Sequence, residues 1–284
     1  MNNNVFVCPT CGGQVAQNSA FCPFCGQQFG NVVVNNNVAP VDLNYEIKGG
    51  NLPYLILNLR RGEQIICEGG SMSWKSPSVT METTSNGGVG KVFSRMFSGE
   101  RLFQNIYTAQ EDNSYIAFSS SFPGAIMPID IRPGQDVICQ KSAFLAGTSG
   151  VEVSIHFNKK IGVGLFAGEG FIMQRMSGNG KVFIEIDGSM EEKVLQPGER
   201  IVISTGHLVM MDSTCQIDIE TNKGFKNIFL GGEGIFNTVI TGPGKVVMQS
   251  MPISKTANIL YPYMPYPSSS TDTASTVVNL FTKK

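Results

Sequence analysis

Two short cysteine pairs near the N-terminus carry the clearest chemistry in the sequence, Cys8-Pro9-Thr10-Cys11-Gly12 and Cys22-Pro23-Phe24-Cys25-Gly26. Each C-x-x-C turn sets two thiolates on one side. The glycine after it can take the positive φ that lets backbone N–H groups approach sulfur. Cys8, Cys11, Cys22 and Cys25 together offer the four soft ligands of a tetrahedral zinc site. Catalytic dithiols normally come singly, on a strand–helix unit, so the repeated pair reads as a zinc ribbon in residues 1–30. A segment this short has almost no core, and zinc would supply most of its folding free energy. Between Met1 and Tyr45 there is no Lys or Arg to meet phosphates. A structural or protein-docking role is therefore favoured over nucleic-acid binding.

Other residues that could do chemistry are sparse. The glycine loops LFAGEGF (165–171) and SGNGKVF (177–183) do not fit a phosphate cradle. Gly180-Lys181 and Gly244-Lys245 are followed by valine, where a Walker loop needs Ser or Thr. Gly168-Glu169-Gly170 lacks the third glycine of a dinucleotide fingerprint and would turn a carboxylate towards the anion. They read as turns. The chain has two histidines, His156 and His207, and no nucleophile elbow or zinc-protease helix. Cys67, Cys139 and Cys215 lie in apolar runs and read as small hydrophobes. No catalytic set emerges, although an enzyme of unidentified class stays open.

Positioning these groups requires repeated elements. LFAGEGFIMQRMSGNGKVFI (165–184) aligns without a gap on FLGGEGIFNTVITGPGKVVM (229–248), 64 residues on, and the same shift carries RPGQDVICQ (132–140) onto QPGERIVIS (196–204). RRGEQIICE (60–68) and MFSGERLFQNIYT (96–108) form an earlier copy, stretched by an insertion around 85–94. Short apolar runs between turn signals give β structure throughout, as three units sharing one core. Glu100, Glu169 and Glu233 recur at one place in each unit. They either accept N–H bonds within their own turns or converge on a cation or basic ligand, the turn role being favoured. The insertion also holds the one basic and aromatic cluster, Lys91, Arg95 and Arg101 with Phe93 and Phe97.

The run from Tyr45 to about Met251 resembles the altered-inheritance-of-mitochondria (mitochondrial biogenesis) family through GEQIICEGGSMSW (62–74), FSGERLFQNIYTA (97–109), GLFAGEGFIMQRMSGNGKVFIEIDG (164–188) and GEGIFNTVITGPGKVVMQS (232–250). The resemblance implies an all-β, pseudo-threefold domain of antiparallel sheets, similar in fold to the tryptophan RNA-binding attenuator protein. It implies no catalytic residues. The chain departs from mitochondrial members in lacking an Arg- and Ser-rich transit segment and in opening on the cysteine pairs, so a cytoplasmic setting is expected.

A net charge of -1 with 15% charged residues gives no global field for polyanions, and no apolar window is long enough to span a bilayer. The expected organisation is a zinc ribbon (1–30), an Asn-rich linker (31–44), a three-repeat β domain (45–254) and a flexible tail (255–284). The expected function is a non-catalytic binding or scaffold protein with zinc as cofactor, protein partners and a homo-oligomeric state. RNA or DNA binding is the alternative, and peripheral membrane contact stays open.

Overall fold

The structure is a computed structural model that describes residues 5–7, 14–16, 42–84, 104–159, 171–221, 236–260 and 263. At the N-terminus β1 (Val5–Val7) pairs antiparallel with β2 (Gln14–Ala16). The first cysteine pair therefore lies in the connection of a hairpin, although Cys8, Cys11, Cys22 and Cys25 themselves fall outside the described residues.

Among the described residues from Tyr54 to Gln249 the chain forms three six-stranded units in succession, with β3 (Asn44–Lys48) added to the first. The first unit comprises β4 (Tyr54–Leu59), β5 (Gln64–Glu68), β6 (Met72–Lys75), β7 (Val79–Thr84), β8 (Gln104–Ala109) and β9 (Ser114–Ser119). The second comprises β10 (Gly124–Ile131), β11 (Val137–Gln140), β12 (Phe144–Thr148), β13 (Val151–Lys159), β14 (Phe171–Gly178) and β15 (Gly180–Asp187). The third comprises β16 (Met190–Leu195), β17 (Arg200–Ser204), β18 (Leu208–Asp212), β19 (Gln216–Thr221), β20 (Phe236–Thr241) and β21 (Gly244–Gln249). In every unit the sixth strand pairs with the first and third, and the fifth pairs with the second and fourth. Even the irregularities repeat, because each third strand bulges against the sixth, at Met72/Trp74, Phe144/Ala146 and Leu208/Met210. A bulge conserved at one position of a repeat is a built feature of the unit, where it bends the strand across to its neighbour.

The turns explain the repeated Gly-Glu and Pro-Gly signals. Glu63, Gln135 and Glu199 donate their N–H to the carbonyls of Arg60, Arg132 and Gln196. Gly62, Gly134 and Gly198 sit at the third position of these turns with φ of 86°, 81° and 77°, the left-handed conformation that a type II turn requires there. Glu63 and Glu199 also accept the N–H of Arg60 and Gln196 on their carboxylates, at 2.8 and 2.9 Å. The SGNGK loop is likewise a turn. Gly178 has φ 98°, and a Cβ there would lie 2.5 Å from the Gly150 carbonyl oxygen, because the β14–β15 turn presses on the β12–β13 turn.

Units are joined by one recurrent contact. The third strand of a unit pairs with the second strand of the unit before it, β12 with β5 and β18 with β11. Three apolar clusters result, one per unit. Each draws on the neighbour across the joint, so that Ala146 and Phe183 of the second unit enter the first core and Met210 and Val247 of the third enter the second. The chain then turns into helix α1 (Ile253–Leu260). Residues from 255, read from sequence as the start of a tail, are thus helical as far as Leu260. The turn signal is Pro252, whose carbonyl accepts the N–H of Lys255 and of Thr256.

Candidate functional site

Glu100, Glu169 and Glu233 lie outside the described residues, as do Lys91, Arg95, Arg101, Phe93 and Phe97. All belong to the connections between the fourth and fifth strands of the units, 85–103, 160–170 and 222–235. Each connection is closed at its base by a cross-strand pair, Thr84 with Gln104, Lys159 with Phe171 and Thr221 with Phe236. The three carboxylates therefore belong to connections between the same two strands, the fourth and fifth, of each unit.

A polar layer runs beneath these bases. Asn105, Gln174 and Thr238 occupy matching positions on the fifth strands, opposite Cys67, Cys139 and Ile203. Gln174 is wholly buried and donates from Nε2 to Glu68 Oε1 at 3.0 Å, a bond between units. Gln174 Oε1 and Gln140 Oε1 are buried acceptors with no hydrogen bond among the described residues. Thr238, also fully buried, donates to Thr205 Oγ1 at 3.4 Å, and Thr205 donates to the Phe236 carbonyl at 2.8 Å. Sequence reasoning missed this layer. Its signal was present as a polar residue recurring at one matching position of each fifth strand.

The neighbouring thiols are not nucleophiles. Cys67 and Cys139 are buried. Burial first, and the Glu68 carboxylate second, push the Cys67 thiol up to about 12 and that of Cys139 higher still. A thiol held protonated in this way packs as a small hydrophobe. Cys215 behaves alike, pushed to about 12 by burial and then by Asp212. Burial and the charge of Arg175 hold His156 below its ordinary value, so it is neutral at pH 7. His207 Nδ1 lies 2.8 Å from the Gln249 carbonyl oxygen. Among the described residues no group of three or more His, Cys, Asp or Glu could hold a metal ion.

A second polar cluster ties the second unit to the helix. Glu185 Oε1 accepts from the Ser120 hydroxyl and from the N–H groups of Ser121 and Phe122, fixing the β9–β10 loop. Two residues on, Asp187 accepts the N–H of Ile253 at the start of α1. Its carboxyl is raised from 3.8 to about 6, chiefly by burial and then by Glu185. The native state holds this proton more tightly than the unfolded chain does, so the group favours folding below pH 3.8 and loses that contribution as pH rises through about 6. The melting temperature is expected to carry this downward component across the window, and Asp187→Asn to remove it. A profile unchanged by the substitution would refute the assignment.

Comparison with known proteins comes to the same architecture. A family model described as "Mitochondrial biogenesis AIM24" matches residues 45–251. An uncharacterized protein of Streptococcus pyogenes serotype M6 is 29% identical over 223 residues, which cover 75% of this chain and 87% of the relative. The crystal structure of another Streptococcus pyogenes protein superposes with a TM-score of 0.65 at 23% identity, over 78% of this chain and 100% of that one. At that identity the likeness speaks for the fold alone. The cytoplasmic setting expected from the sequence does not stand, because the matching family is described by mitochondrial biogenesis, a mitochondrial context. That expectation rested on the missing transit signature, which weighs less than a match across the β domain. Among the described residues no helix is long and apolar enough to cross a membrane.

Proposed function

Since the chain belongs to the mitochondrial biogenesis AIM24 family, we propose that it works without turnover, as a binding or scaffold protein whose β domain is an interaction platform for proteins. The observation that carries this reading is that three connections, 85–103, 160–170 and 222–235, leave from between the same two strands of each unit, each closed by a cross-strand pair. Repetition of one connection across three units offers several weak contacts at once, and linked contacts gain affinity through effective concentration. A likeness of the three-unit domain to the tryptophan RNA-binding attenuator protein fold belongs to this reading. So does the N-terminal zinc ribbon held by Cys8, Cys11, Cys22 and Cys25 as a structural or docking module. The β1–β2 hairpin supports the ribbon, since it places Cys8 and Cys11 in the connection of two paired strands, where a knuckle belongs.

The test compares the full chain with a Glu100→Gln, Glu169→Gln, Glu233→Gln triple variant by cross-linking in the native cell and identifying what is joined. Protein partners lost or depleted at least tenfold in the variant are the expected result. Nucleic acid as the main cross-linked species, with binding that weakens steeply with salt, would replace the reading with the alternative.

A further inference from the structure

The joint that links the units is made twice and could be made a third time. β5 receives β12, and β11 receives β18, whereas among the described residues β17 pairs only with β20 and β6 only with β9. The second strand of the last unit and the third strand of the first are thus two open halves of the same joint. Their side chains say the same. In the joints that are made, Ile66 pairs with Gly147 and Ile138 with Met211, and Ile66 and Ile138 are 5% and 0% exposed. The matching Val202 on β17 is 58% exposed. On the facing strand Ala146 and Met210 are 0% and 1% exposed, while the matching Trp74 on β6 is 43% exposed.

Two other outer strands carry guards in mid-strand that β17 and β6 lack. β10 carries Pro128 and Asp130, and β16 carries Glu191, Glu192 and Lys193, the devices that keep an edge from pairing. The middle of β17 is Ile201-Val202-Ile203. Its one charge, Arg200, is turned back onto Glu220 of its own unit at 2.9 Å, and Lys75 of β6 is bound to the Val79 carbonyl at 2.7 Å.

We propose that β17 of one chain pairs with β6 of a second copy, head to tail, in the register of the internal joints. Val202 then faces Lys75, Ile203 faces Trp74 and Ile201 faces Ser76. The partner is a second copy because the chain itself shows what fits each edge. The third core takes in Ile138 from the unit before it but nothing from a unit beyond, and Trp74 of the next copy enters it as Met210 enters the second core. Val202 in turn enters the first core of that copy, as Ile66 enters the second. The contact is heterologous, so each chain offers one edge of each kind and the series extends until it closes on itself. This inference names one partner of the proposed platform but stands on the sheet edges, so loss of partners from the Glu triple variant leaves it untouched.

The test is the solution mass of the purified full chain, measured by sedimentation across a wide range of concentration. Wild type is expected to exceed the mass of one chain, with V202E and W74E each reduced to a single chain and melting as wild type does. Each variant retains one intact edge, so an equimolar mixture is expected to give two-chain particles and nothing larger. A wild type that remains a single chain at every concentration overturns the proposal. So does a mixture that stays at one chain, or a V202E or W74E protein that still assembles alone, as an isologous pairing of like edges would allow.

Discussion

Replacing Phe183 by Ala is expected to lower the unfolding free energy by about 3–5 kcal/mol, read from denaturant midpoints at constant slope. Phe183 is fully buried and belongs by sequence to β15 of the second unit, yet its ring packs in the core of the first. There it lies edge-on to Tyr45 with 5.0 Å between ring centroids, so truncation removes both apolar contact and an aromatic pair. The cavity opens at the joint, where two sheets meet and neither can collapse without moving the other. At the matching positions stand the smaller Ala117 and Val247, both also buried. Phe183 is thus the large member of its repeat set, and the first core is built around it. Phe183→Leu, which keeps most of the volume, is expected to cost about 1.5 kcal/mol or less. A loss under about 1 kcal/mol for the alanine variant would show that the first core does not depend on the second unit.

The repeat was legible because turn chemistry is local. Pro-Gly and Arg-Gly before Glu or Gln demand a left-handed glycine, and all three copies fold as such turns. The strands between them follow from alternation, and the 64-residue shift between the second and third units reproduces the pairing pattern strand by strand. The joints were not legible, since a repeated sequence says which strands are alike but not which edges meet. RIVIS of β17 looks as buried in sequence as QIICE of β5, and only the missing neighbour leaves Val202 exposed. The polar layer escaped for a related reason. Gln174 bonds Glu68 across 106 residues, and no local pattern reports a partner so distant. The carboxylates and basic residues that drew attention in sequence are placed only through their roots, on the three equivalent connections.

Purified full chain is expected to carry about one zinc ion per molecule and Cys22→Ser about none, measured as metal content by mass spectrometry after dialysis. This is the largest single effect anticipated, since structural zinc contributes on the order of 10–16 kcal/mol to a small ribbon. The reading is clean because the other thiols do not compete. Cys67, Cys139 and Cys215 are buried in the β domain, and burial holds all three far above neutral pH, where they stay protonated and cannot ligate. Cys139→Ser is therefore expected to keep its full zinc. The hairpin of β1 and β2 brings the ends of the first knuckle together but supplies only three residues on each side, too few to hold without the ion. Chelation should accordingly expose Cys8, Cys11, Cys22 and Cys25 to a thiol reagent while the melting of the β domain is unchanged. Zinc retained at the wild-type level in Cys22→Ser would rule out four-cysteine ligation.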